Sequence, residues 1–172
     1  MDHPFLQTKQ LPNWSAMLPE KIEADINKTL QSAKEAIDDI SQLSERNTNL
    51  NYTNTFAAFE KALEPLNTAW GFVNHLDSVN NSKELRKAFN AMLPNVTQFY
   101  TDIPLNPDLW KALKRFGQSE NVLQLSPTQK RHIEETLADF REEGADLPDS
   151  KKEQVRNIQK DLAELTQRYS EN

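Results

Sequence analysis

The sequence predicts an all-α protein built as an array of about six helices. Three observations carry this. Apolar residues recur at steps of three and four through most of the chain, and no segment alternates as a half-buried strand does. There are only three glycines in 172 residues, too few for a turn-rich β fold. Prolines and capping residues fall at the ends of the periodic segments, where helices start and stop.

Residues 1–18 read as an arm that packs on the body, punctuated by Pro4 and Pro12 and anchored by Phe5, Leu6, Leu11, Trp14 and Met17. The body, residues 19–172, opens at Pro19, a residue pre-set for a first helical position. Ile22, Ile26, Leu30, Ala33, Ile37, Ile40 and Leu43 form one stripe, and Asn47-Thr48-Asn49-Leu50-Asn51 ends it. Asn51 or Thr53 is placed to cap a second helix carrying Phe56, Phe59, Leu63, Leu66, Trp70, Val73 and Leu76. Pro65 should kink it near Lys61 by removing a donor.

Ser82 is placed to cap the third helix, with Leu85, Phe89, Met92, Val96 and Phe99 inward and a bend at Pro94. Asn106-Pro107 starts a shorter fourth helix bearing Leu109, Trp110, Leu113 and Phe116, ended by Gly117. Residues 121–125 read as a loop rather than a short strand. Ser126-Pro127-Thr128-Gln129 is a capping box, and Gly144 is the matching stop. In the sixth helix Val155, Ile158, Leu162, Leu165 and Tyr169 step 3-4-3-4, the spacing of an antiparallel coiled-coil seam. No stop signal follows it. The whole of 1–172 reads as one helical domain, and its length suits one core.

Composition excludes several functions. The net charge is −6, with acidic and basic residues intermixed, which disfavours nucleic acid and anionic membranes as partners. There is no cysteine, hence no disulfide, thiolate metal site or cysteine nucleophile. No run reaches the ~18 apolar residues of a membrane span, and the N-terminus lacks a secretory pattern, so a cytoplasmic location is expected.

The search for chemistry returns no candidate catalytic, cofactor or metal residues. A zinc peptidase of the His-Glu-x-x-His type needs two imidazoles one helical turn apart and a glutamate to activate water. His132-Ile133-Glu134-Glu135-Thr136 comes nearest but lacks the second histidine. His132 is expected to face solvent or a helix boundary, His75 to be a packing or helix-terminal residue, and His3 to belong to the arm. Asp38-Asp39, Glu134-Glu135 and Glu142-Glu143 are adjacent pairs that diverge by about 100° on a helix and form no acid–base dyad.

Several short motifs occur in order along the chain. His3-Pro4-Phe5-Leu6, Leu11-Pro12-Asn13-Trp14 and Leu18-Pro19-Glu20-Lys21-Ile22 open it. Tyr52-Thr53-Asn54-Thr55, Phe59-Glu60 and Leu66-x3-Trp70 follow, then His75-Leu76-Asp77-Ser78-Val79 and Ser82-x-Glu84-Leu85-Arg86. Asp139-Phe140-Arg141-x2-Gly144-Ala145-x-Leu147-Pro148 is the most specific, and Leu162-Ala163-x-Leu165-x3-Tyr169-Ser170-x-Asn172 closes the series. Together they resemble the N-terminal region of the M3 family of zinc oligopeptidases, of the oligopeptidase A and thimet oligopeptidase kind.

The resemblance implies a neurolysin-like helical lobe that walls a channel and admits only short peptides. It implies that zinc belongs to a catalytic domain this chain lacks, so no cofactor is expected here and the chain alone should be inactive. His75 and Trp70 would be structural positions of the lobe. The implied partners are the catalytic lobe of the same polypeptide and, in the full enzyme, short peptides. Self-association of the isolated chain is expected through apolar residues that the second lobe would cover. The alternative is a stand-alone helical interaction module pairing through the seam of its last helix.

Overall fold

The computed structural model describes residues 3–7, 11–46 and 49–170, apart from the side chains of Gln167 and Ser170. Six α-helices carry it: α1 Pro19–Ser41, α2 Phe56–Val79, α3 Lys83–Leu105, α4 Pro107–Gly117, α5 Pro127–Glu142 and α6 Asp149–Ser170. No strand occurs among the described residues. Residues 121–125 are not extended. They fall largely within a 3₁₀ turn, Glu120–Gln124.

The start signals act as expected, with one exception. Ser82 accepts from the Leu85 amide at 3.1 Å, and Asn106 from the amides of Asp108 and Leu109 at 3.0 Å. The Ser126–Gln129 capping box closes in both directions. Gly144 stops α5 at φ +102, a conformation costly for a residue with a Cβ, and Ala145 N–H donates back to the Phe140 carbonyl at 2.8 Å. The exception is α2, which starts after Thr55 rather than at Asn51 or Thr53. Asn51 and Asn54 instead accept from each other's amides at 2.9 and 3.0 Å, forming a local box that turns the chain before the helix begins.

α2 continues unbroken through Pro65, and α3 through Pro94 and Pro104. Pro65 and Lys61 are exposed, so the carbonyl that loses its donor meets water rather than the core. Asn47 and Thr48 lie outside the described residues. The core face of α1 ends at Ser41, followed by a 3₁₀ turn, Gln42–Ser44.

α1 is the central element, packing against α2, α3 and α4. Its stripe from Ile22 to Ile40 is buried, with Leu43 half-buried at the end. Phe56, Phe116, Leu66, Leu109, Leu113 and Ile133 fill the middle of one continuous cluster. Gly117 lets α4 approach α5, since a Cβ there would lie 2.6 Å from Leu137 Cδ1. Aromatic pairs tie the helices: Trp70 stacks on Phe89 with centroids 5.0 Å apart, and Trp110 on Phe140 at 5.9 Å.

The arm is only partly an anchor. Phe5 and Met17 are buried and Leu6 is half-buried, but Leu11 is 85% exposed. Trp14 is also exposed, resting edge-on against Phe72 and tilted against His75.

α6 departs most from its expected packing. It lies along α3, yet none of its described side chains joins the core cluster. Arg156 Nε holds Asp102 Oδ1 of α3 at 2.8 Å, Ala163 is half-buried beside Thr97 and Thr101, and Val155 is half-buried. Ile158, Leu162, Leu165 and Tyr169 are between 54% and 84% exposed. They form one outward apolar face, and among the described residues nothing covers it.

Candidate functional site

The described histidines are all held by neighbours. His3 Nδ1 lies 2.6 Å from Asp25 Oδ1, and the other Asp25 oxygen accepts from the Phe5 amide at 3.0 Å. Asp25 is fully buried, so its contact with the Phe5 amide lies where water cannot replace it, while the one with His3 is partly buried. This carboxylate fastens the arm to α1. Asp25 was not singled out from sequence. Its signal was position: three residues after Ile22 and one before Ile26, it falls on the buried face of α1.

His132 corrects its expectation. It does not face solvent but is half-buried between α5, α2 and the turn before α2. Nδ1 lies 3.0 Å from Tyr52 Oη and Nε2 lies 3.3 Å from Glu60 Oε1, while the ring meets Phe56 edge-on at 6.0 Å. Both ring nitrogens are thus engaged, leaving neither to a metal. His75 is exposed and packs on Trp14, a packing role.

No group of three or more His, Cys, Asp or Glu side chains able to hold a metal occurs among the described residues. The donors among the described residues do not fit a zinc site. Asp38, Asp39, Glu134, Glu135, Glu142 and Glu143 are exposed, on the solvated faces expected of them. Although Glu143 is exposed, partial loss of hydration at its carboxyl, and then the negative charge of Asp139, push that carboxyl upward.

The most connected polar cluster surrounds Trp110. Its indole N–H donates to Asp146 Oδ1 at 2.9 Å, and Lys114 Nζ reaches the same oxygen at 2.9 Å. Arg141 approaches the other oxygen at 3.7 Å, and both cations lie over the indole ring. The hydrogen bonds from Lys114 and Trp110, reinforced by the two positive charges, hold the Asp146 carboxyl below its usual range. The cluster joins α4 to the turn between α5 and α6. It contains no nucleophile paired with a base, and its acid is saturated with donors, so it is a structural fastening.

Among the described residues, two surface features stand out. One is the outward apolar stripe of α6. The other is a groove of about 570 Å³ between α1 and α3, with amide side chains on its rim and Leu30, Ile37, Phe99 and Ile103 as its floor. No described helix is long and apolar enough to cross a membrane.

Comparison with known proteins gives this architecture a family. Residues 26–152 match the model of the neurolysin/thimet oligopeptidase N-terminal domain. Over all 172 residues the chain is 30% identical to oligopeptidase A of Haemophilus influenzae and 29% identical to that of Escherichia coli, in each case 25% of the relative's length. A probable cytosolic oligopeptidase A of Arabidopsis thaliana is 24% identical over 99% of the chain and 24% of its own length. The chain thus spans about a quarter of the length of the curated relatives it matches. The match covers α2 to α5 entire and most of α1, the helices that build the core, and on that ground the chain belongs to the N-terminal domain family of the neurolysin/thimet (M3) oligopeptidases.

Proposed function

We propose that this chain is the channel-walling lobe of an M3 zinc oligopeptidase, one folded domain over residues 1–172 that hydrolyses nothing by itself. The observation that carries the proposal is the uncovered stripe of α6. A helix whose apolar seam points away from its own core is built to be covered by something else. In a family whose named relatives are about four times as long, the natural cover is the zinc-bearing remainder of the enzyme.

The physical role follows from the fold. Long helices bound by aromatic stacking and buried fastenings make a stiff wall. A stiff wall beside a recessed active centre admits short, unstructured peptides and excludes folded proteins. Zinc, when bound in the full enzyme, would supply the activated water, and the residues of this lobe would supply selection. The working location is the cytoplasm.

The test is hydrolysis of an internally quenched short peptide by the purified chain in the presence of zinc. The proposal requires no turnover above the peptide-only control. Turnover abolished by a chelator would contradict it.

A further inference from the structure

We propose that the groove between α1 and α3 binds short peptides in extended conformation, reading their main chain and their free N-terminus. The proposal rests on the channel-wall reading and adds to it a surface that holds the peptide instead of only admitting it.

The two helices run side by side in the same direction, for Asn106 at the end of α3 donates to Ser41 Oγ at the end of α1 at 3.3 Å. The lining runs from Asn27 to Asp38 on α1, about 16 Å of helix at 1.5 Å per residue. An extended peptide rises about 3.3 Å per residue, so the groove accommodates about five residues.

Asn27 and Gln31 form one rim and Asn95 and Gln98 the other, all exposed. A carboxamide offers both a carbonyl acceptor and N–H donors, the complement of a peptide unit. Asn27 and Gln31 are one turn apart, about 6 Å, close to the ~6.8 Å at which an extended chain repeats its N–H and C=O groups along one edge. Asn27 and Asn95 have no hydrogen-bond partner among the described residues. Gln98 donates to Asp102 at 2.9 Å and Gln31 to Glu35 at 2.7 Å, each keeping its carbonyl available. Such a rim addresses the backbone whatever the side chains, while alternate side chains fall on the apolar floor.

Charge sets the direction. The far end of the groove carries Asp38 and Asp102. Arg156 neutralises Asp102, whereas Asp38 makes no ion pair among the described residues. Asp38 therefore complements the ammonium of a peptide N-terminus. Lys34, one turn earlier, is placed to donate to the first peptide carbonyls.

Titrating the ¹⁵N-labelled chain with the pentapeptide Ala-Leu-Ala-Leu-Ala, free and N-acetylated, tests this by NMR. Saturable shifts are expected in the carboxamide signals of Asn27, Asn95 and Gln98, with acetylation weakening binding about fivefold or more. The double substitution Asn27→Ala and Asn95→Ala should weaken binding about tenfold or more without changing the circular dichroism, both side chains being exposed. Asp38→Asn should erase the difference between the two peptides. No saturable shift, shifts confined to the α6 stripe, or equal affinity in the double variant would overturn the site. A lobe that binds no peptide yet supports peptide hydrolysis in a full-length enzyme would refute this site alone and leave the channel-wall reading standing.

Discussion

Asp25 and Asp146 do the fastening that apolar packing alone does not. Replacing Asp25 by Ala strands the buried Phe5 amide and releases His3, at a cost of about 2 kcal/mol or more. Urea unfolding should show that loss, with the smaller loss in Asp25→Asn, whose carbonyl still accepts from Phe5. Asp146 makes a pH prediction. Its folded-state carboxyl is held below the ordinary value of about 3.9, so its stabilisation is fully present above that value and disappears as pH falls through the lower folded value. Thermal melts between about pH 5 and pH 3 should therefore fall more steeply for the native chain than for Asp146→Asn. The raised Glu143 carboxyl works in the opposite direction, its ionised form being the disfavoured one in the folded chain. Residue-level contacts were the least legible in the sequence. Tyr52 and His132 meet across 80 positions, and no local pattern forecasts which ring a solitary histidine will touch.

Helices were legible where start signals were chemical and local. Ser82, Asn106 and Ser126 each act on an amide two or three residues on, so three residues suffice to see them. The start of α2 was misread because Asn51 and Asn54 satisfy each other, leaving the backbone to turn once more before Phe56. The 3-4-3-4 spacing of α6 does place its apolar residues on one face, but spacing cannot say what covers it. Left uncovered, Ile158, Leu162 and Leu165 should drive the isolated chain to self-associate. Sedimentation equilibrium should show a dimer growing with concentration, and Leu162→Glu should weaken it about tenfold or more while leaving the circular dichroism unchanged, since the side chain is exposed. A strictly monomeric native chain at high concentration would contradict this.

At the scale of the molecule, the all-helical class followed from periodicity and the near absence of glycine, and the family from motifs spread over the chain. The α1–α3 groove was not visible beforehand. Its amides are ordinary surface residues in sequence, and only the parallel placement of two helices brings them face to face. The proposed role of the lobe is to select peptides for chemistry performed elsewhere in a longer enzyme. Grafting this chain in place of the matching first quarter of Escherichia coli oligopeptidase A, and measuring zinc-dependent hydrolysis, tests it most directly. Cleavage of short peptides and rejection of a folded protein are expected, with activity falling when Leu162 and Leu165 are both changed to Glu. A graft that folds with its zinc bound but cleaves no short peptide, or one that degrades folded protein, would contradict it.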